Sequence, residues 1–185
     1  MIETERLLLR KPQLDDVDDV LGFVGDVEVM RWIGGEAGGR EMAIQQVEKW
    51  MARWDANGVG PFVVVRDGRV IGRAGLLVWD RRSWEPSTYE RAGEHAVTEL
   101  GWVIARAHWG HGLATEAARA VREWTYAERG IERLISLIEP KNIRSIRVAD
   151  KLGAVPDELV ATVYGPLLAW LHPGPSRFRD GDSHR

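Results

Sequence analysis

The chain has 185 residues, 44% of them apolar and 29% charged, the size and balance of a single folded domain. Its net charge of −3, with both signs interspersed, offers no basic stripe for a nucleic-acid backbone. It has no cysteine, which removes disulfides, thiolate metal sites and any acyl-enzyme on a thiol, and its five histidines show no metal-ligand spacing.

Met1-Ile2-Glu3-Thr4-Glu5-Arg6 is charged where a leader would be apolar, and no apolar run approaches the roughly 20 residues that cross a bilayer. A cytoplasmic protein without membrane or nucleic-acid partners is expected. Leu7-Leu8-Leu9-Arg10-Lys11, stopped by Pro12, reads as a first strand. Asp15 and Asp16 then precede Val17, Val20, Leu21 and Val24, an i, i+3, i+4, i+7 stripe with acidic residues at the positive end of a helix. After the glycines 34, 35, 38 and 39, a second helix carries Ile44, Val47, Trp50, Met51 and Trp54 on one face.

Residues 62–65 and 69–71 flank Asp67-Gly68, which favours a hairpin turn with two positive φ angles, and the second strand runs on through 75–78. Residues 80–93, polar and containing Pro86, read as a long loop. A central strand spans 97–104. Ala117, Ala118, Val121 and Trp124 mark a helix, and 134–138 form a strand ended by Pro140. A helix from Ile143 carries Ile146, Val148, Ala149 and Leu152 and stops at Gly153, the residue type favoured just past a helix end. Residues 160–163 and 167–171 are closing strands. Beyond Pro173 apolar content vanishes, so 1–172 is read as the domain and 173–185 as a mobile tail.

The order is β-α-α-β-β-β-α-β-α-β-β, an α/β fold with a mixed sheet and helices on both faces. Of the nine tryptophans, Trp50, Trp54, Trp102 and Trp124 fall in periodic segments and read as core. Trp32, Trp79 and Trp84 lie near loops, open to core or pocket roles.

The chemistry concentrates between Glu99 and Glu116. There a strand meets Trp109-Gly110-His111-Gly112-Leu113-Ala114-Thr115 and then a helix. A glycine turn ending on a helix N-terminus presents unpaired N–H groups at the positive end of the dipole, which suits a phosphate. A turn that needs glycine only for its positive φ would look the same. The six-residue dinucleotide fingerprint and the P-loop lysine are both missing.

Leu100-Gly101-Trp102-Val103-Ile104 followed by Trp109-Gly110-His111-Gly112-Leu113-Ala114-Thr115-Glu116-Ala117 resembles the acetyl-CoA motif of GNAT acetyltransferases, in the form of the RimJ/RimL-like branch. Gly112 and Ala114 match the last two defined places of the family's Gln/Arg-X-X-Gly-X-Gly/Ala pattern, while Trp109 replaces its Gln or Arg. Residues 4–10 and 70–76 are similar to the branch's first and third strands. Pro140-Lys141-Asn142-Ile143-Arg144-Ser145, running to Leu152-Gly153, is similar to its second cofactor segment.

The resemblance implies a GNAT fold, a mostly antiparallel sheet of about seven strands whose fourth and fifth strands splay apart around pantetheine. It implies that Trp102, Val103 and Ile104 pair with the pantetheine, with the Trp102 N–H placed against the thioester carbonyl. It further implies that the backbone of Gly110, His111, Gly112, Leu113, Ala114 and Thr115 holds the pyrophosphate and that Asn142 binds the pantetheine arm. The same asparagine would serve as an ordinary helix cap. Many members carry a tyrosine acid seven residues after that asparagine, where this chain has Ala149. Ser145 then offers the leaving thiolate a hydrogen bond, unless it is an ordinary first-turn serine.

For the base, Glu99 lies three residues before Trp102, roughly 10 Å along a strand and within reach of a water relay. Some members place the glutamate one residue earlier, at the position of Thr98, and a one-residue slip reverses the face. Glu94, His95, His108 and the absence of any dedicated base stay open.

The expected activity is direct transfer of an acetyl group from acetyl-CoA to a primary amine, on a protein or peptide N-terminus or on a small molecule. A homodimer is left open, and no metal is implied. The acceptor site is expected from the 34–40 loop, the 80–93 loop and the last two strands. The rivals are a catalytically silent CoA-binding sensor or interaction module, and a GNAT-like domain that binds no CoA.

Overall fold

In the first half of the chain, strands that follow one another in sequence lie side by side in the sheet. In the computed structural model, which describes residues 1–33 and 35–175, β1 (Ile2–Glu3) and β2 (Leu8–Arg10) pair antiparallel, and β2 pairs with β3 (Pro61–Arg66). β3 turns into β4 (Arg69–Asp80) through Asp67 at φ 50° and Gly68 at φ 76°, the doubly positive turn that Asp-Gly predicts. Between β2 and β3 lie α1 (Val17–Val24), α2 (Val27–Met30) and α3 (Arg40–Asn57). Asp16, at the foot of α1, is buried and held in a 2.5 Å ion pair by Arg10.

The 80–93 segment is more ordered than its polarity predicts. It forms β5 (Glu85–Pro86), paired with β4, and α4 (Tyr89–Ala92), capped by the Thr88 hydroxyl accepting from the Arg91 N–H. There follow β6 (Ala96–Ile104), α5 (Leu113–Arg129), β7 (Ile135–Ile138), α6 (Ile143–Lys151), β8 (Val155–Thr162) and β9 (Gly165–Leu171).

The sheet runs β1-β2-β3-β4-β6-β7-β9-β8 with β5 beside β4, nine strands rather than about seven. The two-residue β1 and β5 are too short for any periodicity to announce. All pairs are antiparallel except β6 with β7. From residue 176 on, the expected mobile tail lies outside the described residues. None of the described helices is long and apolar enough to cross a membrane.

Alternation along the strands sends Val63, Val65, Val70 and Val103 to the face covered by α1 and α3, and Val64, Ile71, Leu76, Leu100 and Ile104 to the face covered by α5. On α5, Leu113, Ala117, Ala118 and Val121 recur at helical spacing and are at most 1% exposed. Burying a leucine or valine this completely contributes about 1.5–3 kcal/mol, so α5 is fixed firmly beneath β6.

The seam between β6 and β7 positions the site. The two strands share a single bridging pair, Glu99 with Ile135, and then part. Just past it, the Ser136 hydroxyl donates to the Leu100 carbonyl at 2.6 Å, substituting for the lost ladder bond. With its only proton so engaged, Ser136 Oγ can only accept from His172, whose Nε2 stands 2.8 Å away.

Candidate active site

Beyond that wedge the chain leaves a groove of about 390 Å³, walled by β6 and the start of α5 on one side and by α6 on the other. Gly110 (φ 82°) and Gly112 (φ 76°) both hold the left-handed conformation that favours glycine. A Cβ on Gly110 would meet open space, so the turn leaves room for a ligand to approach the backbone. Gly112 is the N-cap of α5 and supplies no side-chain acceptor. The N–H groups of Leu113, Ala114 and Thr115 therefore lack intrahelical partners at the positive end of a 17-residue helix.

The turn is fixed from three sides. The Trp109 indole donates to the Ile104 carbonyl at 2.6 Å, and the Arg144 guanidinium stacks over its ring at 4.4 Å. Arg6 donates to the His111 carbonyl at 3.0 Å and forms a 2.5 Å ion pair with Glu116. His111 thus offers Arg6 its carbonyl; its side chain is exposed and does not line the groove. Arg144, Arg147 and Lys151 bring positive charge to the opposite wall, which suits phosphate groups. The glycine cradle, the unpaired helix N–H groups and the basic wall all fit the polyanionic end of CoA.

The polarity of the β6 backbone follows from Ser136. In a strand the N–H and C=O of one residue point to the same side and alternate along the chain. Since the Leu100 carbonyl faces β7, the N–H groups of Trp102 and Ile104 face the groove, while Gly101 and Val103 are turned toward β4.

Asn142 and Ser145 stand at the mouth of the groove. Asn142 is the N-cap of α6, its Oδ1 accepting from the Ser145 N–H at 3.2 Å. Ala149, by contrast, is fully buried against Ile138, Ala154 and Trp170.

A second cavity of about 260 Å³ lies on the α3 side of β4 and β6 and meets the groove at Trp32, Ile33, Trp102, Asn142 and Ser145. Glu99 lines it, 7% exposed. Thr98 points to the other face and bonds the Tyr89 hydroxyl at 2.9 Å, so of the two positions only 99 faces the cavity. Burial pushes the Glu99 carboxyl above its ordinary range, opposed by the Trp79 indole, which donates at 2.6 Å, by the charges of Arg73 and Arg53, and by a hydrogen bond from the Leu137 backbone. Glu94 and His95 are not among the residues lining either cavity, and His108 lies in the groove.

The expected acceptor loops contribute little. Gly35 is the one described residue of 34–40 that reaches the cavity, and from 80–93 only Pro86 does. The closing hairpin does contribute, through Tyr164 and Leu167. Trp32 and Trp79 line the cavity, and so does Trp50, assigned from periodicity to the core; Trp84 does not. Sequence reasoning missed Arg53 and Arg73. Their signals were an arginine between Trp50 and Trp54 on the apolar face of α3, and one inside an otherwise apolar strand, between Gly72 and Gly75. Among the described residues no group of three potential metal ligands occurs.

An open sheet with one splayed parallel pair and a glycine turn capping a helix in the splay suits an acyltransferase that takes its acyl group from a nucleotide thioester. The family model for the GNAT acetyltransferase domain matches residues 6–155, and the chain belongs to that family, which uses acetyl-CoA as acyl donor. It is 32% identical over 158 residues to YkkB of Bacillus subtilis, covering 81% of this chain and 82% of that one. It is 31% identical over 152 residues to the N-acetyltransferase YnaD of the same species, covering 82% and 81%. Among solved structures, an acetyltransferase from Agrobacterium tumefaciens superposes with a TM-score of 0.75 at 24% identity, over 92% of each chain. The aminoglycoside acetyltransferase AAC(6')-Ib, in complex with ribostamycin and coenzyme A, does so with 0.76 at 20% identity, over 98% and 100%.

Proposed function

We propose that the protein is an N-acetyltransferase of the RimJ/RimL-like kind that moves an acetyl group directly from acetyl-CoA to a small primary amine. The observation that carries this is the meeting of the two cavities at Trp102, Asn142 and Ser145, with Glu99 on the acceptor side. A pantetheine arm in the groove would lie along the β6 edge, where the Trp102 N–H is available to the thioester carbonyl oxygen. The pyrophosphate would rest on the backbone of residues 110–115.

Glu99 takes a proton from the attacking amine, directly or through a water. The nitrogen lone pair forms the C–N bond, negative charge builds on the carbonyl oxygen against the Trp102 N–H, and the C–S bond breaks. CoA leaves as thiolate, which the Ser145 hydroxyl can steady with a hydrogen bond, and takes up its proton from solvent. A thiolate is a tolerable leaving group near neutral pH, so the absence of a tyrosine at 149 is compatible with turnover. A carboxyl raised by burial is a better base near neutrality than an exposed one.

The cavity of about 260 Å³ lies below the roughly 300–1,000 Å³ of drug-sized ligand sites, which favours a small amine over a protein N-terminus. The test is release of CoA thiol from acetyl-CoA across a panel of small amines and N-terminal peptides. Amine-dependent release with small acceptors is expected. If acetyl-CoA stabilises the fold, by about 2.7 kcal/mol at 100 times its Kd, while no amine is turned over, the chain is instead a silent CoA-binding module.

A further inference from the structure

The floor of the acceptor cavity carries more positive charge than a general amine site needs. Arg53 lies one helical turn after Lys49 on α3, and both line the cavity with Arg73 of β4. Like charges at i, i+4 on a helix repel, and none of the three cations makes a side-chain hydrogen bond or ion pair among the described residues. Arg73 Nη1 is sealed from solvent and has no hydrogen-bond partner. A buried guanidinium donor left unpaired is costly, so its position points to an acceptor atom supplied by a ligand.

The geometry specifies that ligand further. A Cβ placed on Gly101 would stand 3.4 Å from Arg73 Nη1 and 3.4 Å from Glu99 Oε1. The unpaired donor and the candidate base therefore stand close together over the bare backbone of Gly101, yet they form no ion pair with each other. The other Glu99 oxygen, Oε2, is held by Trp79, and the Leu137 backbone N–H also bonds the carboxylate. Around this pair stand aromatic walls, Trp50 and Trp79, with Tyr164 edge-on to Trp79 at 6.1 Å.

We infer that the acceptor is a free α-amino acid, its carboxylate bound by Arg73 and Arg53, its amine at Glu99 and its side chain against the aromatic walls. In such a molecule one carbon separates amine from carboxylate, matching a donor and a base that stand close together without touching. The cationic floor would disfavour polycationic acceptors such as aminoglycosides, whose charges would meet Lys49, Arg53 and Arg73. It would also disfavour peptide N-termini, whose α-carboxylate is spent in an amide. Burial lowers the Arg73 guanidinium to about 10, still charged at neutral pH.

This inference rests on reading the cavity as the acceptor site. It is tested by comparing free L-amino acids with their amides, decarboxylated amines and kanamycin, in CoA-release turnover and in thermal stabilisation of the CoA-loaded protein. For L-phenylalanine against L-phenylalaninamide, loss of a buried charge pair predicts a preference for the acid of at least about 30-fold. That ratio should collapse to within about threefold in Arg73→Gln. Arg53→Gln, at a half-buried helix position, should lower it as well and covers the case in which Arg73→Gln does not fold. Equal use and equal binding of acid and amide, or a preference for kanamycin or peptides, would overturn the inference. Selective stabilisation by acids without turnover would uphold the carboxylate site and count against the catalytic reading instead.

Discussion

The two halves of the site are built from different materials. On the proposed reading the cofactor half is a backbone device, in which β6 edge groups, a turn with two left-handed glycines and the first N–H groups of α5 would do the recognising, while side chains such as Trp109 and Arg6 hold the backbone in place. The proposed acceptor half is a side-chain device, with Arg53, Arg73, Trp79, Glu99 and Tyr164 converging on one cavity from α3, two neighbouring strands and the turn between β8 and β9. A backbone device tolerates sequence change wherever the turn geometry survives. A side-chain device changes specificity with single substitutions, which fits a family whose members share the donor and differ in acceptor.

The sharpest way to break this contrast is at Glu99, the proposed base on the acceptor side. Glu99→Gln should lower kcat by roughly 10²- to 10⁴-fold, the usual contribution of a positioned base, with acetyl-CoA affinity unchanged. In the parent, kcat/KM should rise with pH as Glu99 loses its proton, at a pH above the ordinary carboxylate range because burial raises its pKa. In the glutamine variant that limb should disappear. An unaltered profile would assign the proton transfer to another group.

His172 lies at the seam that joins the halves. It is 3% exposed, and burial, reinforced by the charge of Arg122, lowers its pKa to about 4 from an ordinary 6.5. The unfolded chain takes up this proton more readily than the folded one. The stability the group contributes is therefore fully present above about pH 6.5 and is lost as the pH falls to about 4. The whole loss is on the order of 3 kcal/mol. His172→Gln, compared with the parent by denaturant unfolding across that window, should remove this part of the slope. Identical slopes would mean that the imidazole does not titrate with folding.

Gly112→Val tests the backbone half. A β-branched side chain at φ 76° is strained by about 1–3 kcal/mol, and the turn should relax away from its cradle geometry. Acetyl-CoA should bind about 10- to 100-fold more weakly by calorimetry, with discrimination among acceptors unchanged. A change in acceptor preference would show that the halves are not independent.

The same division explains what could be read from the sequence. The glycine turn, the Asn142 helix and the strand between them were legible because backbone devices need particular residues at fixed local spacing. Asp67-Gly68 announced its turn for the same reason. The acceptor cavity was not legible, because it depends on which strands are neighbours and in which register. Thr98 and Glu99 could not be told apart until the β4 pairing fixed the faces. Arg73 carried no readable signal of a site until the pairing of β4 with β6 brought its guanidinium beside Gly101. The loop at 80–93 misled because polarity was taken for irregularity, whereas Thr88 caps a helical turn there.

The smallest expected effect lies where the halves touch. Ser145 donates its backbone N–H to Asn142, and its hydroxyl lies at the junction of the two cavities. Were it the proton donor to the departing sulfur, Ser145→Ala would cost a full acid-catalysis contribution of 10²-fold or more. A hydroxyl is a weak acid, however, and a CoA thiolate leaves near neutral pH without one. A single hydrogen bond to a charged thiolate is worth about 1.5–3 kcal/mol at most and less where water substitutes. The expected outcome is therefore a fall in kcat of no more than about tenfold, with the Asn142 cap and the fold intact because the capping bond uses the backbone. A loss beyond 100-fold would make Ser145 the acid that takes over the work of the missing tyrosine. A fall within tenfold leaves reprotonation to solvent, consistent with a cofactor half in which the backbone does the recognising.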